Sequence, residues 1–438
     1  MEKAFKNLIK SDFPYLSTAK LLIAVSGGLD SVVLVHLCKS AKMEFSIAHC
    51  NFNLRGEESD ADESFVMDLG DALDVEVFTE NFDTEAYAED AKVSIQMAAR
   101  DLRYNWFNEL SAALNFDYIL TAHHANDNLE TFLINLIRGT GLDGLTGIRT
   151  ENDKIIRPLM KFSRKEIEAY AVKENIPWRE DSSNASPKYL RNKIRLEVIP
   201  VMEEINPQLL ESFAQTQSHL NESLNLVEDY IGLLYAEIVS KDPYGYTLNI
   251  EILQKIPNTK AVLYQLLKSF GFTEWDDVHG LLKAQSGKMV FSATHRLIKD
   301  RNFLMLTEIP SDKNNKVYKI EEGEDVVMLP IGTFVFEEVD EILETGPNCI
   351  YIAKHTIKYP LTLRKWVEGD IFHPFGMKGK KKKISDFFKD KKLSLPEKEN
   401  CWLLCSEDKI VWVVNHRADA RFANKDPSDE ILKIIYSV

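Results

Sequence analysis

Three groups of residues in this chain have the types and spacing that chemistry requires. The first is Ser26-Gly27-Gly28-Leu29-Asp30-Ser31, which follows five apolar residues (Leu21 to Val25) and precedes an apolar run through Val32, Leu34, Val35 and Leu37. The five-residue run reads as a buried parallel strand and the later one as a helix. Gly27 and Gly28 carry no Cβ, so the backbone can turn sharply and come close to a ligand. The N–H groups of the turn and of the helix start then converge on one place, where an anion such as phosphate fits. The hydroxyls of Ser26 and Ser31 add donors, and Asp30 is the nearest carboxylate for a divalent cation. The stretch is too short for a Walker A loop and lacks its Gly-Lys-Ser/Thr ending, and it lacks the spacing of a dinucleotide fingerprint.

The second group is Ala122-His123-His124-Ala125-Asn126-Asp127-Asn128-Leu129-Glu130-Thr131. Positions i, i+4 and i+7 share a helix face, so His123, Asp127 and Glu130 project together if the helix begins by His123. Such a face can coordinate a divalent metal or hold a cationic ligand. The same acids would also complement a helix dipole. The third group is cationic. Arg100 and Arg103 lie on a long helix that Ser94 is placed to cap, and Arg191 and Arg195 stand at i, i+4, a spacing suited to phosphate. Met377 to Leu393 holds eight lysines, Lys380, Lys381, Lys382 and Lys383 among them, against two aspartates. Trp366, His373, Phe375, Phe387 and Phe388 accompany them. Aromatics interleaved with cations suit RNA, although a lysine run also fits a solvated loop.

The elements that must position these groups alternate as βαβα up to about Thr150. Strands are expected at Phe45 to His49, Val75 to Thr79 and Tyr118 to Thr121, with helices near Asp60 to Leu73 and Ser94 to Leu114. This order predicts an α/β domain with a parallel sheet covered on both faces. Ligands of such sheets bind beyond the carboxyl ends of the strands, near the topological switch. The Gly-rich turn, His49 and His123 all fall at strand ends. Farther on, Leu210, Phe213, Leu220, Leu224, Val227, Ile231, Leu234 and Ile238 are spaced by threes and fours, which predicts one long helix with a buried stripe. A strand at Tyr246 to Ile250 and a hairpin over Lys288 to Leu306 follow. The polar run Ser311 to Asn315 reads as an exposed link.

The 438 residues suffice for two or three domains, and 45% apolar with 28% charged residues is an ordinary globular composition. A net charge of −15 argues against a non-specific nucleic-acid binder. Met1 to Tyr15 has no signal-peptide layout, and no apolar run approaches the roughly 18 residues of a membrane span. The cysteines Cys38, Cys50, Cys349, Cys401 and Cys405 are odd in number and scattered, which favours a reducing cytoplasm over a disulfide framework. Cys401 and Cys405 have no second Cys/His pair and read as packing residues.

Ser-Gly-Gly-x-Asp-Ser resembles the pyrophosphate loop of the N-type ATP pyrophosphatases, which cleave ATP to AMP and pyrophosphate and adenylate a carbonyl oxygen. Taken with HCNFNLR (His49 to Arg55), AARDLRY (Ala98 to Tyr104), AHHANDNLET (Ala122 to Thr131), RGTGLDGLTGI (Arg138 to Ile148), RPL (Arg157 to Leu159), the cluster from Trp178 to Arg195 and the C-terminal LRKWVEGDIFHPFGMKGKKKKISDFF, it resembles the tRNA(Ile)-lysidine synthase family. One departure is Phe52-Asn53, where many relatives carry His-Gly.

The resemblance implies a parallel-sheet ATP pyrophosphatase domain over 1–207, a mainly helical tRNA-binding middle domain over 208–310, a linker region over 311–358 and a small α+β basic domain over 359–438. It implies a ligase that attaches free L-lysine to C2 of the wobble cytidine of tRNA(Ile) with a CAU anticodon, using ATP and Mg²⁺ in the cytoplasm. A homodimer is compatible with it. Ser26, Gly27, Gly28, Leu29, Asp30, Ser31 and His49 would bind ATP, with Asp30 on the metal. Asp127, Glu130 and His123 would serve lysine or catalysis, and the arginines and lysines above would meet phosphate.

Two other readings are set against it. A tRNA-thiolating relative would need a reactive cysteine or an iron–sulfur site, and no CxxC occurs. A non-catalytic ATP-responsive RNA-binding protein would have no need of Asp127 and Glu130.

Overall fold

A computed structural model describes residues 1–180, 190–310, 316–343, 346–377, 379–424 and 429–437. Residues 181–189 of the cluster from Trp178 to Arg195, Lys378 of the basic stretch and the run Ser311 to Asn315 lie outside them. The chain divides into two compact units, Met1–Val227 and Glu228–Val438.

The first unit holds β1 (Leu21–Ala24), β2 (Phe45–Asn51), β3 (Val77–Asn81), β4 (Tyr118–Leu120), β5 (Glu151–Asn152) and β6 (Ile155–Ile156) in the order β3-β2-β1-β4-β6-β5. All neighbours are parallel except β5 and β6. The register aligns Leu21 of β1 with Phe45 on one side and Tyr118 on the other. The order reverses between β1 and β4, so the switch point falls where β1 ends.

Alternation along β1 feeds two cores. Leu21 and Ile23 face a cluster with Phe5, Leu16, Val33, Leu37 and Ile167, while Leu22 faces Ala48, Phe107, Phe116 and Ile119. Each of these buried Val, Leu, Ile and Phe side chains contributes about 1.5–3 kcal/mol by leaving water. The helices before, between and after the strands are α1 (Glu2–Asp12), α2 (Leu29–Ser40), α3 (Glu57–Leu73), α4 (Thr84–Ala91), α5 (Ile95–Leu114), α6 (Ala125–Arg138), α7 (Leu142–Leu145) and α8 (Arg164–Lys173). Ser94 caps α5 as expected, its hydroxyl accepting from the Met97 N–H at 3.3 Å. The long helix runs from Leu209 to Ile238, and every member of the anticipated stripe is buried or half-buried.

In the second unit, helices at Ile250–Lys255, Thr259–Leu267 and Trp275–Gly280 pack with a five-stranded antiparallel sheet. Its strands are Val239–Asp242, Gly245–Asn249, Phe303–Glu308, His295–Asp300 and Met289–Phe291, in that spatial order. Two further sheets share one core containing Ile320, Phe334, Ile352, Leu363, Trp412 and Ile434.

Residues 311–358, expected as a linker region, contribute to that core. Tyr318–Ile320 pairs with Leu361–Lys365, and Gly332–Val339 and Cys349–Ala353 flank Ile431–Ser437 on either side. The strands carry buried residues such as Phe334, Phe336, Ile350 and Ile352, and the polar character of the region comes from the acidic runs Glu321 to Asp325 and Glu337 to Glu341. No helix among the described residues is long and apolar enough to cross a membrane.

Candidate functional site

The Gly-rich turn leaves the carboxyl end of β1 and enters α2 at Leu29. Gly27 has φ +86°, a conformation that favours glycine, and Gly28 is the residue before the helix. The turn is tied internally. Ser31 Oγ donates to the Gly28 carbonyl at 2.9 Å, accepts from the Ser26 N–H at 3.3 Å and lies 3.3 Å from Ser26 Oγ. Ser31 is buried, so it shapes the turn while Ser26 stays at its surface. His49, buried on β2, donates from Nδ1 to the Val25 carbonyl at 2.9 Å and braces the strand end. Burial holds its pKa below the ordinary imidazole value.

Asp30 opens α2 and pairs with Arg164 at the start of α8. Its Oδ1 is buried without a hydrogen-bond partner and faces His124 Nε2 at 3.7 Å. His124, not His123, belongs to the start of α6. It is the residue before the helix, where Nδ1 accepts from the Asp127 N–H at 3.4 Å while Asp127 Oδ2 accepts from the His124 N–H at 3.0 Å. That reciprocal cap starts the helix at Ala125, so the expected i, i+4, i+7 face including His123 does not form. His123 lies outside the helix with Nδ1 3.0 Å from Thr121 Oγ1. It is held neutral near neutral pH, because burial lowers its pKa to about 4, helped by Arg157, Arg191 and Arg103 and opposed by Asp127.

Asp127 and Glu130 do share a side of α6, and both meet arginines. Glu130 is fully buried; Arg195 Nε reaches its Oε1 at 2.6 Å and Nη2 its Oε2 at 3.0 Å. Arg191 Nε lies 3.5 Å from Oε2, and its Nη2 donates to Thr131 Oγ1 at 2.8 Å. Arg195 Nη2 is 3.4 Å from Asp127 Oδ1. Burial by itself would raise the pKa of Asp127, but His124, His123 and Arg191 hold it below the usual carboxylate range. Arg191 and Arg195, whose spacing suits phosphate, are paired with Glu130 and Asp127 within the protein.

Arg100 and Arg103 are seated differently. Arg100 lies over the ring of Tyr104 at 4.9 Å and Arg103 over that of Phe52 at 5.2 Å. The departure at Phe52-Asn53 has a backbone explanation. Asn53 has φ +53°, which glycine adopts freely and asparagine tolerates.

Several partners escaped the sequence reading. Arg164 was signalled only by the cap Ser163-x-x-Glu166 ahead of α8. Arg179 pairs with Asp62, and its N–H donates to the Gly27 carbonyl at 3.0 Å. Asn128 bridges Gln217 and the Ile148 N–H, and a Cβ on Gly147 (φ +71°) would collide with both amides.

In the second unit, Lys380, Lys381 and Lys383 are exposed, whereas Lys382 is 17% exposed at its side chain and pairs with Asp390. Phe387 and Phe388, expected among RNA-facing aromatics, are buried in a core with Phe372 and Ile384. Trp366 donates to the Lys398 carbonyl at 2.8 Å, and only Phe375 of the five is exposed, at 58%. Cys401 and Cys405 are buried packing residues.

Residues 1–202 match the family described as PP-loop domain, 241–309 that described as TilS substrate binding domain, and 361–435 that described as TilS substrate C-terminal domain. A tRNA(Ile)-lysidine synthase of Parabacteroides distasonis is 41% identical over 94% of this chain and 94% of its own length. One of Bacteroides thetaiotaomicron is 39% identical over 98% of each, and one of Clostridium acetobutylicum 30% identical over 98% and 97%.

Proposed function

The chain belongs to the tRNA(Ile)-lysidine synthase family, and from that premise we propose how its residues carry out an ATP-dependent tRNA modification. The enzyme is an ATP-dependent ligase. The C2 carbonyl oxygen of the wobble cytidine attacks the α-phosphorus of ATP, and pyrophosphate leaves. The side-chain amine of free lysine then attacks C2, loses a proton and expels AMP with that oxygen, giving lysidine and changing codon reading from AUG to AUA.

One observation carries this reading. The phosphate-sized turn after β1 and the carboxylate-bearing start of α6 meet at one switch point, with His124 Nε2 3.7 Å from Asp30 Oδ1 and 3.5 Å from Asp127 Oδ2. The N–H groups of Gly27, Leu29 and Asp30 and the hydroxyl of Ser26 would hold the pyrophosphate in a fixed frame. Asp30 Oδ1, buried and unpartnered, suits a hard cation, and Mg²⁺ commonly takes one carboxylate together with substrate phosphates. Bound there, Mg²⁺ would offset phosphate charge.

Asp127 and Glu130 are the acids for the lysine ammonium. Asp127 is the more accessible, its side chain 14% exposed where that of Glu130 is 0%. His123, neutral, offers a hydrogen bond rather than charge to an incoming amine. Arg100, Arg103, Lys380, Lys381 and Lys383 meet tRNA phosphate. A cytoplasmic setting is part of the same proposal.

Thiolation finds no support in the thiols. Burial pushes Cys50 up to about 12 and Cys38 well above its ordinary value. The test is incorporation of labelled lysine into a tRNA(Ile) transcript bearing CAU, run beside ATP–pyrophosphate exchange. Stoichiometric lysine incorporation is expected. Exchange without incorporation overturns the ligase reading.

A further inference from the structure

We propose that Phe52 is a positioning residue for Arg103, an aromatic seat that aims the guanidinium while leaving its charge unspent. This rests on the reading that Arg103 binds substrate phosphate.

Phe52 and Phe82 immediately follow β2 and β3, at the carboxyl edge of the sheet where ligands of this architecture bind. Their rings stack at 5.7 Å with 21° between planes, and Phe82 in turn meets Trp106 of α5 edge-on at 6.3 Å. The backbone around Phe52 is tied on both sides. Asn53 donates from its N–H to Asn51 Oδ1 at 3.0 Å and from Nδ2 to the Phe82 carbonyl at 3.1 Å, and Thr84 Oγ1 donates to the Phe52 carbonyl at 2.9 Å. Such an immobilised ring is a poor loop residue but a good platform.

Arg103 rests on it, exposed, and among the described residues it makes no hydrogen bond or ion pair. The contrast with Arg195 decides what the seat is for. A carboxylate partner consumes N–H donors and cancels the charge, as Glu130 does to Arg195. A ring face fixes the guanidinium plane by attraction to its quadrupole and leaves the in-plane N–H edges free. The positive field of Arg103 also reaches inward, where it helps to hold His123 neutral.

The test is a double-mutant cycle in the full chain with Phe52→Leu, Arg103→Ala and the pair, plus Phe52→Tyr, reading KM for ATP and for tRNA, kcat and the thermal midpoint. Arg103→Ala should raise one KM about tenfold. Phe52→Leu should raise the same KM about two- to fivefold, the scale of an exposed cation–π contact, and Phe52→Tyr should restore it. The double variant should be no worse than Arg103→Ala.

If Arg103→Ala raises a KM but Phe52→Leu leaves it unchanged, or if the two effects multiply, the seat is refuted while the phosphate reading survives. If Arg103→Ala changes neither KM, the phosphate reading fails and the seat with it. Should Phe52→Leu fold poorly, Phe82→Leu removes only the backing ring and must raise the same KM for the proposal to stand.

Discussion

Around the starts of α2 and α6 in the first unit, cations and carboxylates are matched. Asp30 has Arg164, and Glu130 and Asp127 share Arg191 and Arg195. In the basic stretch of the second unit the balance is the opposite, with Lys380, Lys381 and Lys383 facing water while Asp390 engages Lys382 and Asp386 engages Lys389. The difference follows from burial. Glu130 has no contact with water, and a lone ion there would be strongly unfavourable, so its counter-ions come with the fold. The exposed lysines need no partner, and their field extends outward to about a Debye length. Matched charge favours geometry, whereas unmatched charge favours recruitment of a polyanion.

The strongest way to break the matched side is Asp30→Ala. It removes the unpartnered Oδ1 and frees Arg164, and pyrophosphate release should fall by about a hundredfold or more while tRNA affinity is nearly unchanged. Normal turnover in that variant would remove Asp30 from the ATP–metal site.

A second test separates the two acids of α6. Asp127→Asn should raise the KM for lysine about ten- to a hundredfold while pyrophosphate release continues, so that adenylated tRNA accumulates when lysine is scarce. Glu130→Gln should show the same split with an added loss of stability of about 2 kcal/mol, because Arg195 and Arg191 lose their counter-charge. If pyrophosphate release fails in both and added lysine does not rescue it, the acids serve metal rather than lysine.

The matched side should also be the acid-sensitive one. His123 binds its proton in the folded protein only near pH 4, and in the unfolded chain near 6.5. Between these values the unfolded state holds more protons, so stability falls as pH drops from 6.5 toward 4. His49 acts in the same direction. The thermal midpoint of His123→Gln should be flatter over this window than that of the parent; an identical slope would place the acid sensitivity elsewhere.

Local pattern made much of this legible. The turn after β1, the capped start of α5 and the stripe of the long helix are read from residues a few positions apart. Pairing across space is not. Arg195 and Glu130 are 65 residues apart, and no local periodicity tells a phosphate-facing arginine from one folded back on an acid. The start of α6 was displaced because histidine is an unusual helix cap. Phe387 and Phe388 looked like RNA-facing rings because lysines surround them in sequence, yet the helix Ile384–Asp390 turns both into a core and the lysines outward. The strands between 318 and 353 alternate over too few residues to stand out from a polar link.

The smallest effect sharpens the comparison most, because it lies within the basic stretch itself. Lys380, Lys381 and Lys383 are exposed and unmatched among the described residues, whereas Lys382 lies in the short strand Lys382–Lys383, opposite Phe372, with Asp390 on its ammonium. If recruitment depends on unmatched charge, Lys381→Ala should lower tRNA affinity about two- to threefold and reduce the slope of log affinity against log salt by up to about one, as one counterion fewer is released. Lys382→Ala deletes a charge that Asp390 already offsets and should leave that slope almost unchanged. Lys382→Ala combined with Asp390→Ala removes the two charges together and should behave like the parent if the pair is electrically silent toward RNA. Equal slope changes for Lys381→Ala and Lys382→Ala would mean that the whole run acts as one undifferentiated field, and the distinction between matched and unmatched cations would not extend to the surface.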